Sequence, residues 1–354
     1  MKVPQLSGEY CLSLDLAKCS AVAAIGPMGA SEKDWKTFAT HVIEAPPESS
    51  EAIADLLAWV RSATDRAAVC RRVVVEATAN ISKRFARALN AKKRLPLVNI
   101  VNPARSKAYL VSVGARNKTD KVDAACLALY GARCELATPR EPSAAQERLC
   151  ELSRLREAYV EDRTIWKNRR GEACDPTVRK RIGESIAACD RSIGDVERDI
   201  RLVLKEDKTL GDQVRWLQKI HGIGFVTAVV ITGELGDLRD YTRGQIVAVA
   251  GVFPKLHESG SSVHLRPRMA KGGGGHVRRA LYMGATSLFH SKSPLRQLLT
   301  RHIEAGKTKM CALGAAMRKM LLIARAVVKA GGDYRPEMIG CQATTAKKED
   351  ATLS

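Results

Sequence analysis

The stretch "RRVVVEAT", residues 71 to 78, constrains the fold more than any other in the chain. Its β-branched run is typical of a buried strand, and such a strand needs cover from helices. The flanks supply that cover. "SSEAIADLLAWVRSA" places Ile53, Leu56, Leu57 and Val60 on one helical face, with Ser49 or Ser50 as its cap, and "ISKRFARALNAKK" is also helical. Residues 9 to 25, "EYCLSLDLAKCSAVAAI", read as a strand entering a core, interrupted by Asp15. "WKTFATHVI", 35 to 43, reads as its hairpin partner, and "LPLVNIVNP" as a strand stopped by Pro103. "RNKTDKVDAACLALYGA", 116 to 132, opens the closing helix. The order is strand, strand, room for a third, helix, strand, helix, strand, helix. Alternation of this kind predicts an α/β domain with a mixed sheet.

Pro139 and Pro142 mark the end of that domain, set at 1–143. From 144 to 208 the chain is charged and helix-prone, broken near Pro176, which predicts two long helices packed as a hairpin or across a dimer in a coiled-coil spacer. A mostly α-helical domain follows over 209–335. It opens with "LQKIHGIGFVTAVVITGELGDL", a helix-hairpin-helix-like element whose Gly222 and Gly224 would let backbone N–H groups approach a phosphate. Residues 257 to 282 read as a Ser-, Gly- and Arg-rich loop entering a helix. The tail, 336–354, reads as disordered.

Charge narrows the partner. Lys and Arg number 58 against 38 Asp and Glu, a net charge of +20, which points to nucleic acid. No apolar run long enough to span a bilayer is present, so no membrane partner is expected. Ten cysteines lack CxxC spacing and fit reduced thiols, so a cytoplasmic, nucleoid-associated protein is expected. Aromatic content is low, at 5%, and offers no stacking platform for single strands.

Against that basic background four acids stand out. Asp15 lies within an apolar strand, where an unpaired charge is expensive, and Glu76 ends a buried strand. Asp120 and Asp123 sit three residues apart in the first turn of a helix and so share a face. Singly, each has a structural explanation, such as a cap or a complement to the helix dipole. Together they would repel unless a cation lay between them. Mg²⁺ (or Mn²⁺) prefers such hard oxygen ligands, and two ions could hold the attacking and leaving oxygens of a phosphodiester. An RNase H-like fold brings acids of this order to one edge of its sheet.

"LDLAK", "VVVEAT" and "NKTDKVDA" together resemble the Asp-Glu-Asp-Asp signature of the DEDD-type insertion-sequence transposases, RuvC-like recombinases related to pilin-gene invertases. "AGVFPKLHESGSSVHLRPRMAKGGGGHVRRALYMGA" resembles that family's second motif. The resemblance implies a RuvC-like (RNase H fold) N-terminal domain with Asp15, Glu76, Asp120 and Asp123 as catalytic metal ligands. It also implies a serine nucleophile, carried over to Ser259, with Ser261 and Ser262 close enough to leave the assignment open. Arg266, Arg268, Lys271, Arg278 and Arg279 follow, and cations there can hold a phosphate. Four consecutive glycines, 272 to 275, depart from the usual pattern. His257, His264 and His276 follow the spacing of this basic loop rather than of a metal site.

The expected partners are double-stranded DNA (element ends and target), a structured guide non-coding RNA, and further copies in a homodimer or tetramer. The expected reaction is phosphodiester strand transfer, with the acids and Ser259, in separate domains, meeting by domain closure or between subunits. The alternatives are a metal-dependent structure-specific nuclease, akin to Holliday-junction resolvases and without a covalent serine step, and a non-catalytic DNA-binding protein.

Overall fold

The computed structural model describes residues 5–78, 80–114, 119–259, 263–270 and 272–335, with the backbone alone for 256–259 and 263–267. The expected disordered tail therefore lies outside the described residues. The chain divides into two compact units, Met1–Glu141 and Pro142–Ser354. No helix among the described residues is long and apolar enough to cross a membrane.

The first unit runs β1 (Glu9–Leu16), β2 (Ala21–Pro27), β3 (Ala39–Ile43), α1 (Ser50–Ala63), β4 (Val69–Glu76), α2 (Ile81–Asn90), β5 (Val98–Val101), α3 (Pro103–Ser112) and α4 (Asp120–Arg133). Its five strands form one mixed sheet in the order β3-β2-β1-β4-β5. β1, β2 and β3 pair antiparallel, whereas β1, β4 and β5 pair parallel. Two sequence expectations are corrected here. Residues 9 to 25 are two strands, folded back on each other at 17–20. Residues 34–37 form a short 3-10 turn, so the third strand begins only at Ala39.

Alternation along the strands gives each face its own cover. Leu12, Leu14, Val73, Val75 and Val98 pack against Ile53, Leu56 and Val60 of α1 and Phe85 and Leu89 of α2. Cys11, Val74 and Val101 on the opposite face meet Leu127 and Tyr130 of α4, while Val22 and Ala24 meet Ala124 and Ala128. Small residues let α4 lie close to the sheet. A Cβ built on Gly131 would come within 2.5 Å of Cys11 Sγ and 2.7 Å of Val74 Cγ2.

The second unit opens with α5 (Ala144–Glu172) and α6 (Pro176–Glu206). Ser143 caps α5, and Asp175 caps α6 by accepting from Val178 N at 2.9 Å, with Pro176 at the first helical position. Ion pairs Arg156–Glu197 and Arg163–Asp190, both 2.8 Å, show the two helices running antiparallel within one chain. Then come α7 (Lys208–Leu217), α8 (Phe225–Leu235), α9 (Arg243–Ala250), β6 (Pro254–Ser259), β7 (Val263–Met269), α10 (Gly275–Ser287), α11 (Pro294–Glu304) and α12 (Lys309–Lys329). Val196, Ile200 and Val203 of α6 share one core with Leu217, Ile231, Leu281, Leu299 and Met320 of the later helices. The stretch expected as a Ser-, Gly- and Arg-rich loop contains an antiparallel β-hairpin, β6–β7.

Candidate active site and nucleic-acid interface

Strand pairing sets the first two acids side by side. Leu14 of β1 and Val75 of β4 are parallel partners, so Asp15 and Glu76 occupy the next position on each strand. Asp15 also pairs with Val22 and Glu76 with Val101, and both valines pack under α4. Cross-strand partners share a face, so both acids belong to the α4 side of the sheet. Both are half-buried.

Three hydrogen bonds from two side chains fix the direction of α4. Ser13 Oγ donates to the Ala124 carbonyl at 2.7 Å, near the helix start. Arg72 Nη1 donates to the carbonyls of Gly131 and Cys134, at 2.8 and 2.6 Å, near its end. The helix therefore runs opposite to β1 and β4, and its first turn lies toward the strand ends that carry Asp15 and Glu76. Asp120 is the first residue of that turn and exposed, and Asp123 is half-buried. The N-cap is Thr119, whose hydroxyl accepts from Val122 N at 3.3 Å, so the cap role expected of a lone first-turn Asp is filled by a neighbour. The charge of Asp123 is felt by Cys126: burial, and then that carboxylate, push the thiol up to about 11.

Position and convergence are different things. All four acids come from the same sheet edge and the helix start beside it. Yet among the described residues no group of three or more His, Cys, Asp or Glu side chains is close enough to hold one metal ion. Glu76 Oε1 instead accepts a 2.5 Å hydrogen bond from Ser106 Oγ, a fully buried hydroxyl on α3. Ser106 and Ser13 were missed in the sequence. Each matters only through a contact to a distant element, and nothing local to either serine signals it.

In the second unit, Ser259 is the last residue of β6 and pairs with Val263 across the hairpin. Ser261, Ser262 and Lys271, and the side chains of Ser259, His257, His264 and Arg266, lie outside the described residues. Arg268 is exposed on β7, opposite Lys255. The glycine run has a steric explanation. Gly273 and Gly274 adopt φ of +86° and +28°, and a Cβ on Gly273 would sit 2.5 Å from the Val249 carbonyl oxygen. Only a chain without side chains passes beneath the end of α9 there.

The arginines after this run are held by the protein itself. Arg278 donates to the Ala250 carbonyl at 3.2 Å and to the Gly273 carbonyl, tying the glycine run to α9. Arg279 pairs with Glu157 at 2.6 Å and with Glu161, and His276 also meets Glu157. Glu157 on α5 is a third residue whose role sequence spacing did not reveal. Gly222, with φ +84°, meets α10 closely: a Cβ on Gly284 would fall 2.1 Å from the Gly222 oxygen. Gly224 is exposed and caps α8 without a side-chain hydrogen bond.

Comparison with known proteins adds to this geometry. Residues 37–174, which include Glu76, Asp120 and Asp123, match a DEDD transposase profile of IS110 elements. Residues 214–300, which include Ser259, match the profile described as Transposase IS116/IS110/IS902 family. The chain is 32% identical over 235 residues to the pilin gene-inverting protein of Moraxella bovis, covering 66% of this chain and 72% of that one. The Moraxella lacunata protein of the same name gives the same identity and coverage. The transposase for insertion sequence element IS1111A of Coxiella burnetii is 25% identical over 222 residues, covering 53% of this chain and 58% of its own.

Proposed function

Because the chain belongs to the IS116/IS110/IS902 family of transposases, we propose that its four acids and Ser259 form the two parts of one strand-transfer machinery. The protein is an enzyme that cuts and rejoins DNA. The observation that carries the proposal is the pairing of β1 with β4. It sets Asp15 beside Glu76 at the edge toward which the first turn of α4 points. The same arrangement supports an RNase H-like (RuvC-like) reading of the sheet.

The DEDD domain implies use of a divalent metal. The donor set fits, being four carboxylates, the hard oxygens that Mg²⁺ or Mn²⁺ prefers. Asp15, Glu76, Asp120 and Asp123 would hold it. When bound, such an ion supplies positive charge to phosphate oxygens and so offsets the charge that develops during displacement. Ser106 would keep one Glu76 oxygen oriented, and Thr119 leaves the helix start capped without using either Asp as the cap.

The serine step balances within the protein and DNA. The Ser259 oxygen bonds to phosphorus as one P–O bond to deoxyribose breaks, and the hydroxyl proton ends on the leaving oxygen. Attack by a deoxyribose hydroxyl of another strand then reverses the exchange and restores the serine. Arg268, Arg266 and Lys271 follow in the sequence as the cations for the phosphate. Two duplexes require two such centres, which supports a dimer or tetramer. The net charge of +20 supports a polyanionic guide RNA as a further partner.

The test is a denaturing gel of labelled DNA carrying the element ends. Wild type should leave a covalent protein–DNA adduct, and Ser259→Ala should leave none. Metal-dependent cleavage by Ser259→Ala at the wild-type rate would favour the structure-specific nuclease instead.

A further inference from the structure

We propose that α11 is a second contact for duplex DNA, separate from the β6–β7 hairpin and the glycine run, which grips the phosphate backbone along its exposed face. The inference rests on the reading that the chain acts on DNA. Two rows of side chains at four-residue spacing line an open groove there. One is Arg296, Thr300 and Glu304; the other is Gln297 and Arg301, with exposed Lys292 just before the helix and buried Ser293 as its N-cap. Residues four apart stand one above another on a helix, so each row is a ridge. The opposite face is fixed, because Leu295 and Leu299 are fully buried in the core.

The cations along this face are not neutralised by carboxylates of the fold. Arg154, Arg156, Arg163 and Arg279 are each paired with a carboxylate, as are many other arginines of this unit. Among the described residues Lys292, Arg296 and Arg301 form no ion pair, and all three are exposed. Arg296 makes one long hydrogen bond, 3.4 Å, to the Ser291 carbonyl. Glu304 closes the far end of its ridge with the single negative charge of the groove. The local field is positive: burial, then the charges of Lys307 and Arg301, hold the His302 imidazole below its ordinary range. Thr300 and Gln297 add neutral hydrogen-bond donors between the cations.

The length also suits a phosphate backbone. From Arg296 to Arg301 the helix rises about 7.5 Å, which is about two nucleotide steps of one strand. Such contacts set position and affinity without reading sequence.

The experiment uses the full chain and two duplexes of unrelated sequence, with binding followed by fluorescence anisotropy from low to high salt. Replacing Arg296 and Arg301 together by Gln should weaken binding equally on both duplexes. The slope of log affinity against log salt should become shallower by about one per arginine. Replacing both by Lys should keep the wild-type slope, and the melting temperature should stay near wild type in each variant. Unchanged slope and affinity in the Gln variant, with wild type binding normally, would overturn the α11 contact and leave the transposase reading in place. Loss of affinity for single-stranded RNA alone would overturn it in favour of an RNA surface. No DNA binding by wild type at any salt would overturn both.

Discussion

Ser13 Oγ donates to the Ala124 carbonyl at 2.7 Å, joining β1 to the first turns of α4 across 111 residues of sequence. Both residues are fully buried. Ser13 lies two residues before Asp15 on the same face of the strand, and Ala124 directly follows Asp123. The bond therefore joins the two elements from which three of the four acids come. Ser13→Ala should cost about 0.5–1.5 kcal/mol in denaturant unfolding. Strand-transfer rate should fall by more than that stability loss explains, because the bond sets where the α4 acids stand.

Ser106 is expected to act as a positioning residue for Glu76. Groups that orient metal ligands typically matter about 10–100-fold for metal affinity. Ser106→Ala should raise the Mg²⁺ or Mn²⁺ concentration needed for half-maximal binding within that range, read by calorimetry. A variant that binds metal like wild type would leave Ser106 as a packing residue only.

Arg154 and Glu234 make a bidentate pair, 2.7 and 2.8 Å, that locks α5 to α8. Burial raises the Glu234 carboxyl, but the hydrogen bonds and charge of Arg154 outweigh it and hold the group below its ordinary 4.5. A lowered carboxyl contributes stability that is complete above its unfolded value and disappears as pH falls through the folded one. Glu234→Gln should cost about 2–3 kcal/mol at neutral pH, less than a fully buried pair because Arg154 remains a third exposed. Melting curves of the variant and wild type should converge only below pH 4.5.

The glycine run offers a paired test. Gly273→Ala combines positive φ with a Cβ 2.5 Å from the Val249 oxygen and should cost roughly 2 kcal/mol or more. Gly272→Ala meets nothing within 4 Å, and its φ is not positive, so its melting temperature should stay near wild type. Equal effects from the two would contradict the packing described beneath α9.

Much of the first unit was legible in the sequence. The valine run of β4, the Ser49 cap of α1 and the start of α4 at Asp120 follow from local signals. The turn at 17–20 was not, because it lacks glycine and proline between two apolar strands. α3 was hidden because Pro103 read as a stop. With Asn102 capping Ala104 N at 2.8 Å, that proline is instead the first residue of a helix. The β6–β7 hairpin is too polar for alternation to show. Of the candidate site, sequence supplied the four acids and the direction of their chemistry. It could not supply Ser106, Ser13 or Glu157, since each acts through a partner at least 30 residues away.

Asp15 and Glu76 are proposed to serve one cation rather than to stand as independent surface acids. The most direct test is a double-mutant cycle of Mn²⁺ binding to the full chain, read by calorimetry for wild type, Asp15→Asn, Glu76→Gln and the double variant. One shared site predicts that each single variant loses most of the binding and that the double loses little more. Full binding in Asp15→Asn, or losses that simply add, would contradict it.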